Sequence, residues 1–214
     1  MKTPYSLIGS LVAASLALAT PVFAGPPLLC FPFETGGAKT LPMKSGDWKS
    51  IDTKYDVSHL VPDTLALLTP ATPIVARMET IRRATIYASS HPQLASGLLA
   101  ALQARAAAPT ATAASAVFDF GYLVETYKQA TYIFSSPVKG LSAIDGYQLV
   151  LKAVALQNDP AMEFGAAVIA QASANAALRA ESREHLDRAL AGAKDDAALH
   201  ASVRKHFGAT GELR

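Results

Sequence analysis

Residues 74–109 read IVARMETIRRATIYASSHPQLASGLLAALQARAAAP, and this stretch decides the fold class. Ile74, Met78, Ile81 and Ala88 fall on one helical stripe, with Arg77, Arg82 and Arg83 largely outside it. Ser89-Ser90-His91-Pro92 then interrupts the helix, because Pro92 disfavours helical geometry at His91 and suits the first turn of a new helix. Leu94, Leu98, Ala101, Leu102 and Arg105 mark that second helix, which stops before Pro109. The unit is helix, turn, helix.

The same grammar continues toward the C terminus. After a small-residue linker at 109–115, a third helix is predicted from about Ala116 to Phe134, through Phe120, Leu123, Val124 and Tyr127. A fourth carries Leu141, Ile144, Tyr147, Leu151 and Val154. Asn158-Asp159-Pro160 is a strong helix entry, since Asp159 can cap free amides while Pro160 takes the first helical position and Glu163 meets the positive end of the dipole. The fifth helix is predicted over about Pro160 to Ala177, and two more near Glu181 to Ala193 and Asp195 to Phe207. Almost no strand signal interrupts them, so residues 74–214 form an all-α domain of about seven helices. Shifting the chain by 68 residues superposes Pro92 on Pro160, Gly97 on Gly165 and Gln103 on Gln171; a shift near 36 places Asp159 on Asp195. Such spacings suit a stacked helix-turn-helix, α-solenoid-like array of tetratricopeptide or HEAT type, although the aromatic, Leu-Gly and Tyr pattern of tetratricopeptide repeats is missing. A compact helical bundle is the alternative.

Toward the N terminus the composition changes. Residues 25–73 are rich in Pro and Gly, yet Leu28, Leu29, Phe31, Phe33, Leu41, Met43 and Trp48 are interspersed through them. An extended strap that packs on the helices is expected, with one short helix over Asp63 to Leu68. Residues 1–24 have the layout of a secretory signal: Lys2, an apolar stretch from Leu7 to Ala19, then Val22-Phe23-Ala24. Cleavage is expected after Ala24, which makes the protein periplasmic or secreted. The apolar stretch is shorter than the about 20 residues a membrane span needs, and no later stretch qualifies, so the mature chain has no expected transmembrane segment. Leu29 before Cys30 argues against lipidation, which generally requires a small residue there.

The whole chain has 214 residues, 50% of them hydrophobic and 17% charged, a net charge of +2 and one cysteine. Loss of residues 1–24 removes only Lys2 among the charged groups, so +2 becomes +1. This balance excludes a disordered polyelectrolyte and offers no electrostatic footprint for nucleic acid. One cysteine excludes a disulfide scaffold or a multi-cysteine zinc site.

Three segments, GPPLLCFPFETGGAKTLP at 25–42, ARMETIRRA at 76–84 and FDFGYLVETYKQA at 118–130, resemble parts of exported bacterial proteins with helical bodies. The resemblance implies export and a helical build. It carries no catalytic residue.

The residues with chemistry to offer are few. Cys30 is the only thiol and needs a base or cation to become a nucleophile; otherwise it is a buried or pairing cysteine, and through it or through an alanine-rich helix a homodimer is conceivable. His200 and His206 are six apart, on nearly opposite sides of a helix, and Glu184-His185 lacks the second His of a zinc motif, so each histidine reads as a solvated helix residue. Arg77, Arg82 and Arg83 form the densest cationic group around Glu79: adjacent guanidiniums could grip a carboxylate or phosphate, or Glu79 and Arg83 could pair at i, i+4 while Arg77 lies over Trp48 or Phe33. Glu125, with Lys128 and Gln129 beside Tyr122 and Tyr127, lines a groove or an ordinary amphipathic face with half-buried tyrosines. No phosphate loop, serine elbow or haem motif occurs, and neither cofactor nor metal is expected. The resulting expectation is an exported helical-repeat protein that binds a peptide, protein or envelope component. The alternative is an enzyme or metal or cofactor protein assembled around Cys30 and the Arg77–Arg83 cluster.

Overall fold

The computed structural model describes residues 27–108, 113–134 and 138–208; the signal segment with its cleavage site at Ala24, and residues 109–112 of the linker, lie outside these. The fold is all-α. Its helices are α1 (Pro27–Cys30), α2 (Leu60–Leu67), α3 (Ile74–Ala88), α4 (Pro92–Ala107), α5 (Ala113–Phe134), α6 (Gly146–Gln157), α7 (Pro160–Ala172), α8 (Ala176–Gly192) and α9 (Ala197–Phe207), with 3-10 turns at Val57–His59 and Leu141–Ala143. Within the strap, Met43 and Ile51 form an isolated antiparallel bridge, and Pro62 sits in the first turn of α2, where its missing N–H has no intrahelical partner to lose.

The capping chemistry of the sequence sets most boundaries. Asp159 accepts from the amides of Ala161 and Met162, as its Asn-Asp-Pro context predicts. Asp145, Asn175 and Asp196 do the same for α6, α8 and α9. Asp145 corrects the fourth helix, which starts at Gly146; Leu141 and Ile144 precede it, in the 3-10 turn and its connection. Asn175 likewise divides the expected fifth helix, ending α7 at Ala172 and starting α8 before Glu181. The α6 helix ends on Asn158 with φ 41°, a left-handed cap that asparagine tolerates.

Consecutive helices pack most extensively, α5 on α4 and α6, and α7 on α8, while α3 also meets α5, α7 and α9. One large apolar cluster runs through all of them, from Leu28 and Phe33 of the strap through Phe118, Tyr122 and Phe164 to Phe207. Close approach depends on glycine where backbones meet. A Cβ on Gly121 of α5 would stand 2.6 Å from the Gly146 carbonyl oxygen, so the first turn of α6 lies directly on α5.

Helix α3 is buried on nearly every side, Arg83 being its one residue that is not buried. A helix so enclosed is ordinarily apolar all round. Here it carries Arg77, Glu79 and Arg82 in its buried set, and each of these charges needs a partner inside the protein.

Candidate functional site

The Arg77–Arg83 cluster divides into two separate structures. Glu79, 0% exposed, accepts from Arg82 Nε at 2.7 Å and Nη2 at 2.9 Å, from Arg83 Nε at 2.6 Å and from the Phe33 amide at 3.0 Å. Arg82 Nη1 donates onward to the Leu29 and Trp48 carbonyls, and Arg83 Nη1 to that of Leu41. Tyr87 adds a bond to the Pro42 carbonyl and accepts from the Asp52 amide. The strap is therefore tied to α3 by its own backbone. Burial works against ionisation of Glu79, but Arg82, Arg83 and the Phe33 amide outweigh it and hold the carboxyl below its ordinary range. Arg82 and Arg83 are occupied in this lock rather than presented to a ligand, and it is Arg82 that reaches the Trp48 segment.

Arg77, expected over Trp48 or Phe33, points the other way. Its Nη1 donates to Asp119 Oδ2 of α5 at 2.5 Å, and Nε and Nη2 donate to the Thr72 and Thr69 carbonyls. Asp119 was not legible as a partner, because 42 residues separate it from Arg77 and no local spacing joins them. The pair forms one wall of a cavity of about 370 Å³ between α2, α3, α4 and the start of α5.

A groove of similar volume, about 370 Å³, runs between α5, α6, α7 and the start of α8. Leu28, Ile144, Ile169, Ala170 and Leu178 supply its apolar lining, and Glu125, Lys128, Gln129 and Tyr132 its α5 edge. Glu125 and Lys128 pair at 2.8 Å, Gln129 Oε1 accepts from the Leu28 amide, and Tyr132 is 88% exposed. Tyr122 and Tyr127 do not join this edge. Both are buried: Tyr122, nearer the start of α5, is covered by Phe33 and stacked on Phe118, and Tyr127, turned to another face of the helix, donates to the Ala95 carbonyl of α4.

Behind the groove lies a chain of ionisable groups that the sequence did not reveal. Tyr147, in the groove wall, has its hydroxyl 2.8 Å from Glu181 Oε2 and 2.9 Å from His185 Nε2. His185 Nδ1 is 2.5 Å from Glu163 Oε2 and 2.7 Å from Arg188 Nη2, and Arg188 Nε donates to Glu163 Oε1 at 2.8 Å. His185 is buried, which corrects the expectation of a solvated residue. The i, i+4 pair Glu181 and His185 and the i, i+3 pair His185 and Arg188 were the available signal; Glu163, on another helix, had none.

His206 is corrected in the same way. Buried and stacked on Phe33 with ring centroids 4.3 Å apart, it bonds through Nδ1 to the Ser202 carbonyl, and burial together with the Lys205 charge pushes its pKa down to about 4. Cys30, half-buried at the end of α1, has its thiol raised by burial; the charges acting on it are Arg82, Asp47 and Lys49, with no histidine among them. No group of three or more His, Cys, Asp or Glu able to hold a metal occurs among the described residues, and none of their helices is long and apolar enough to cross a membrane.

No protein-family profile matches the chain, and comparison with curated proteins and with solved structures finds no match either.

Proposed function

We propose that the chain is an exported helical binding protein of stacked helix-turn-helix character, and that the groove between α5, α6, α7 and α8 receives a short peptide segment of a partner protein. The observation that supports this reading is the combination of an apolar groove floor with Tyr132 standing almost fully exposed on its rim. A flat amphipathic ring beside an apolar depression is the side chain that binding hot spots favour. The rim also carries hydrogen-bonding groups for a peptide backbone, the Gln129 side-chain NH2 and the Ser173 hydroxyl as donors and the Glu125 carboxylate as an acceptor. The export half of the proposal rests on residues 1–24.

Fluorescence anisotropy with short labelled peptides bearing one aromatic or aliphatic anchor tests the groove. Tyr132→Ala is expected to weaken binding by tenfold or more. Ala174→Arg, an exposed groove-lining position whose change leaves the core untouched, is expected to abolish it. Peptide binding indifferent to both substitutions, or no binding by any anchor class, overturns the proposal. Mass spectrometry of the protein recovered from the cell exterior or envelope is expected to give Gly25 as its first residue.

A further inference from the structure

The cavity at Arg77 and Asp119 shares no lining residue with the groove between α5, α6, α7 and α8. Its apolar wall is Leu65, Leu68 and Pro70 on one side and Ala108 and Ala116 on the other. Its polar wall is Arg77, Arg105 and Asp119. At about 370 Å³ it falls toward the lower end of the roughly 300–1,000 Å³ range of small-molecule sites.

Two observations select the chemistry. The first is charge: two guanidiniums face one carboxylate, leaving one positive charge in excess, and the opening turns of α5, represented by Ser115 and Ala116, add the positive end of a 22-residue helix. Arg105 donates from Nη1 and Nη2 to the Leu68 and Leu65 carbonyls, which fixes its guanidinium at the end of α2. The second is an unmet bond. Asp119 is 2% exposed and lines the cavity; its Oδ2 takes the Arg77 bond, while Oδ1 is buried without a hydrogen-bond partner. A buried polar atom left unpaired in this way costs stability unless something meets it.

We propose that this cavity binds a small aliphatic carboxylate, with its head group between Asp119 Oδ1 and the Arg105 guanidinium and its tail against Leu65, Leu68 and Ala116. With Asp119 protonated the two guanidiniums stand unopposed, and the ligand charge offsets one of them. One proton bridges Asp119 Oδ1 and a ligand oxygen, so Asp119 must be protonated to receive the anion. Burial, opposed by Arg77 and Arg105, already lifts the Asp119 carboxyl to about 7, and those two guanidiniums are the charged groups that act on it.

The test is calorimetric titration of the full chain with acetate, hexanoate, octanoate, octylamine and 1-octanol. Carboxylates are expected to saturate one site per chain and to tighten by about fourfold for each added methylene until the cavity is filled. Affinity is expected to drop roughly thirtyfold between pH 6 and pH 8.5, the loss of the protonated carboxyl over that interval. Asp119→Asn, whose amide keeps a donor beside the ligand and an acceptor for Arg77, retains binding but loses the pH dependence. Ala116→Leu fills the cavity and abolishes binding while leaving the polar wall intact. Octylamine or octanol binding as tightly as octanoate would mean an unselective apolar hole, and it overturns the proposal. So does the absence of saturable binding by any carboxylate, or octanoate binding that Ala116→Leu leaves unchanged.

Discussion

Replacing Glu79 by Gln changes almost nothing in shape and removes the negative charge that Arg82 and Arg83 share beneath the strap. Arg82, with its side chain 2% exposed, then keeps its positive charge with no counterion, and the new amide NH2 group points donors at guanidinium donors. Arg83 is less affected, since its side chain is 23% exposed and water can reach it. Breaking a buried ion pair by removing one partner costs about 3–5 kcal/mol, a large part of the roughly 5–15 kcal/mol that holds a domain together. The loss also has a pH signature. Because the folded-state pKa of Glu79 is depressed, its contribution is present above the unfolded carboxylate value and disappears as pH falls through the folded one. Urea unfolding followed by circular dichroism should therefore show Glu79→Gln well below the parent at pH 7, with the gap narrowing in acid. Trypsin supplies a local readout, since Lys39, Lys44 and Lys49 are exposed on the strap and should be cut sooner once the Phe33 amide and Arg82 lose their shared partner. A deficit under about 1 kcal/mol at pH 7, with unchanged cleavage, would refute the role given to this carboxylate.

Two further substitutions probe the packing. His206 has a folded pKa of about 4 against an ordinary 6.5, so the unfolded chain takes up the proton first and stability falls as pH drops from 6.5 to 4, by about 3 kcal/mol in all. His206→Phe should flatten that part of the stability profile while costing only about 1 kcal/mol at pH 8 for the lost bond to Ser202; an unchanged acid slope would assign the titration to another group. Gly121→Ala should destabilise by about 1–3 kcal/mol, because its Cβ meets backbone at 2.6 Å that cannot yield cheaply. The control is Gly97→Ala, whose nearest neighbour is a Val61 methyl at 3.8 Å and which should stabilise α4 by about 0.5–1 kcal/mol in the same denaturation assay.

How much of the site could be read in advance depended on whether both partners of a contact lay on one helix. Glu79 and Arg83 were a readable i, i+4 pair, and the structure contains that bond. The readable part stopped there, because the other acceptors of the two arginines are the carbonyls of Leu29, Leu41 and Trp48, and a carbonyl leaves no mark in a sequence. Glu125 and Lys128 lie on a groove edge in the structure, but the spacing left a groove and an ordinary amphipathic face equally open and did not separate Tyr122 and Tyr127 from them, since a 3.6-residue period does not say how many helices surround α5.

By itself, the sequence determined the all-α class and most of the helix boundaries, because these rest on local physics: apolar spacing within a helix, Asp and Asn caps, and prolines that begin helices. It also marked the strap as an apolar segment that must be covered. Only the tertiary structure decided which helices enclose α3, that His185 and His206 are interior groups, and that Arg77 meets Asp119 while Glu163 meets His185. Those contacts join residues 22 to 42 positions apart. The free energy of pairing charges out of water depends on separation and burial in three dimensions, and neither is encoded in the distance along the chain.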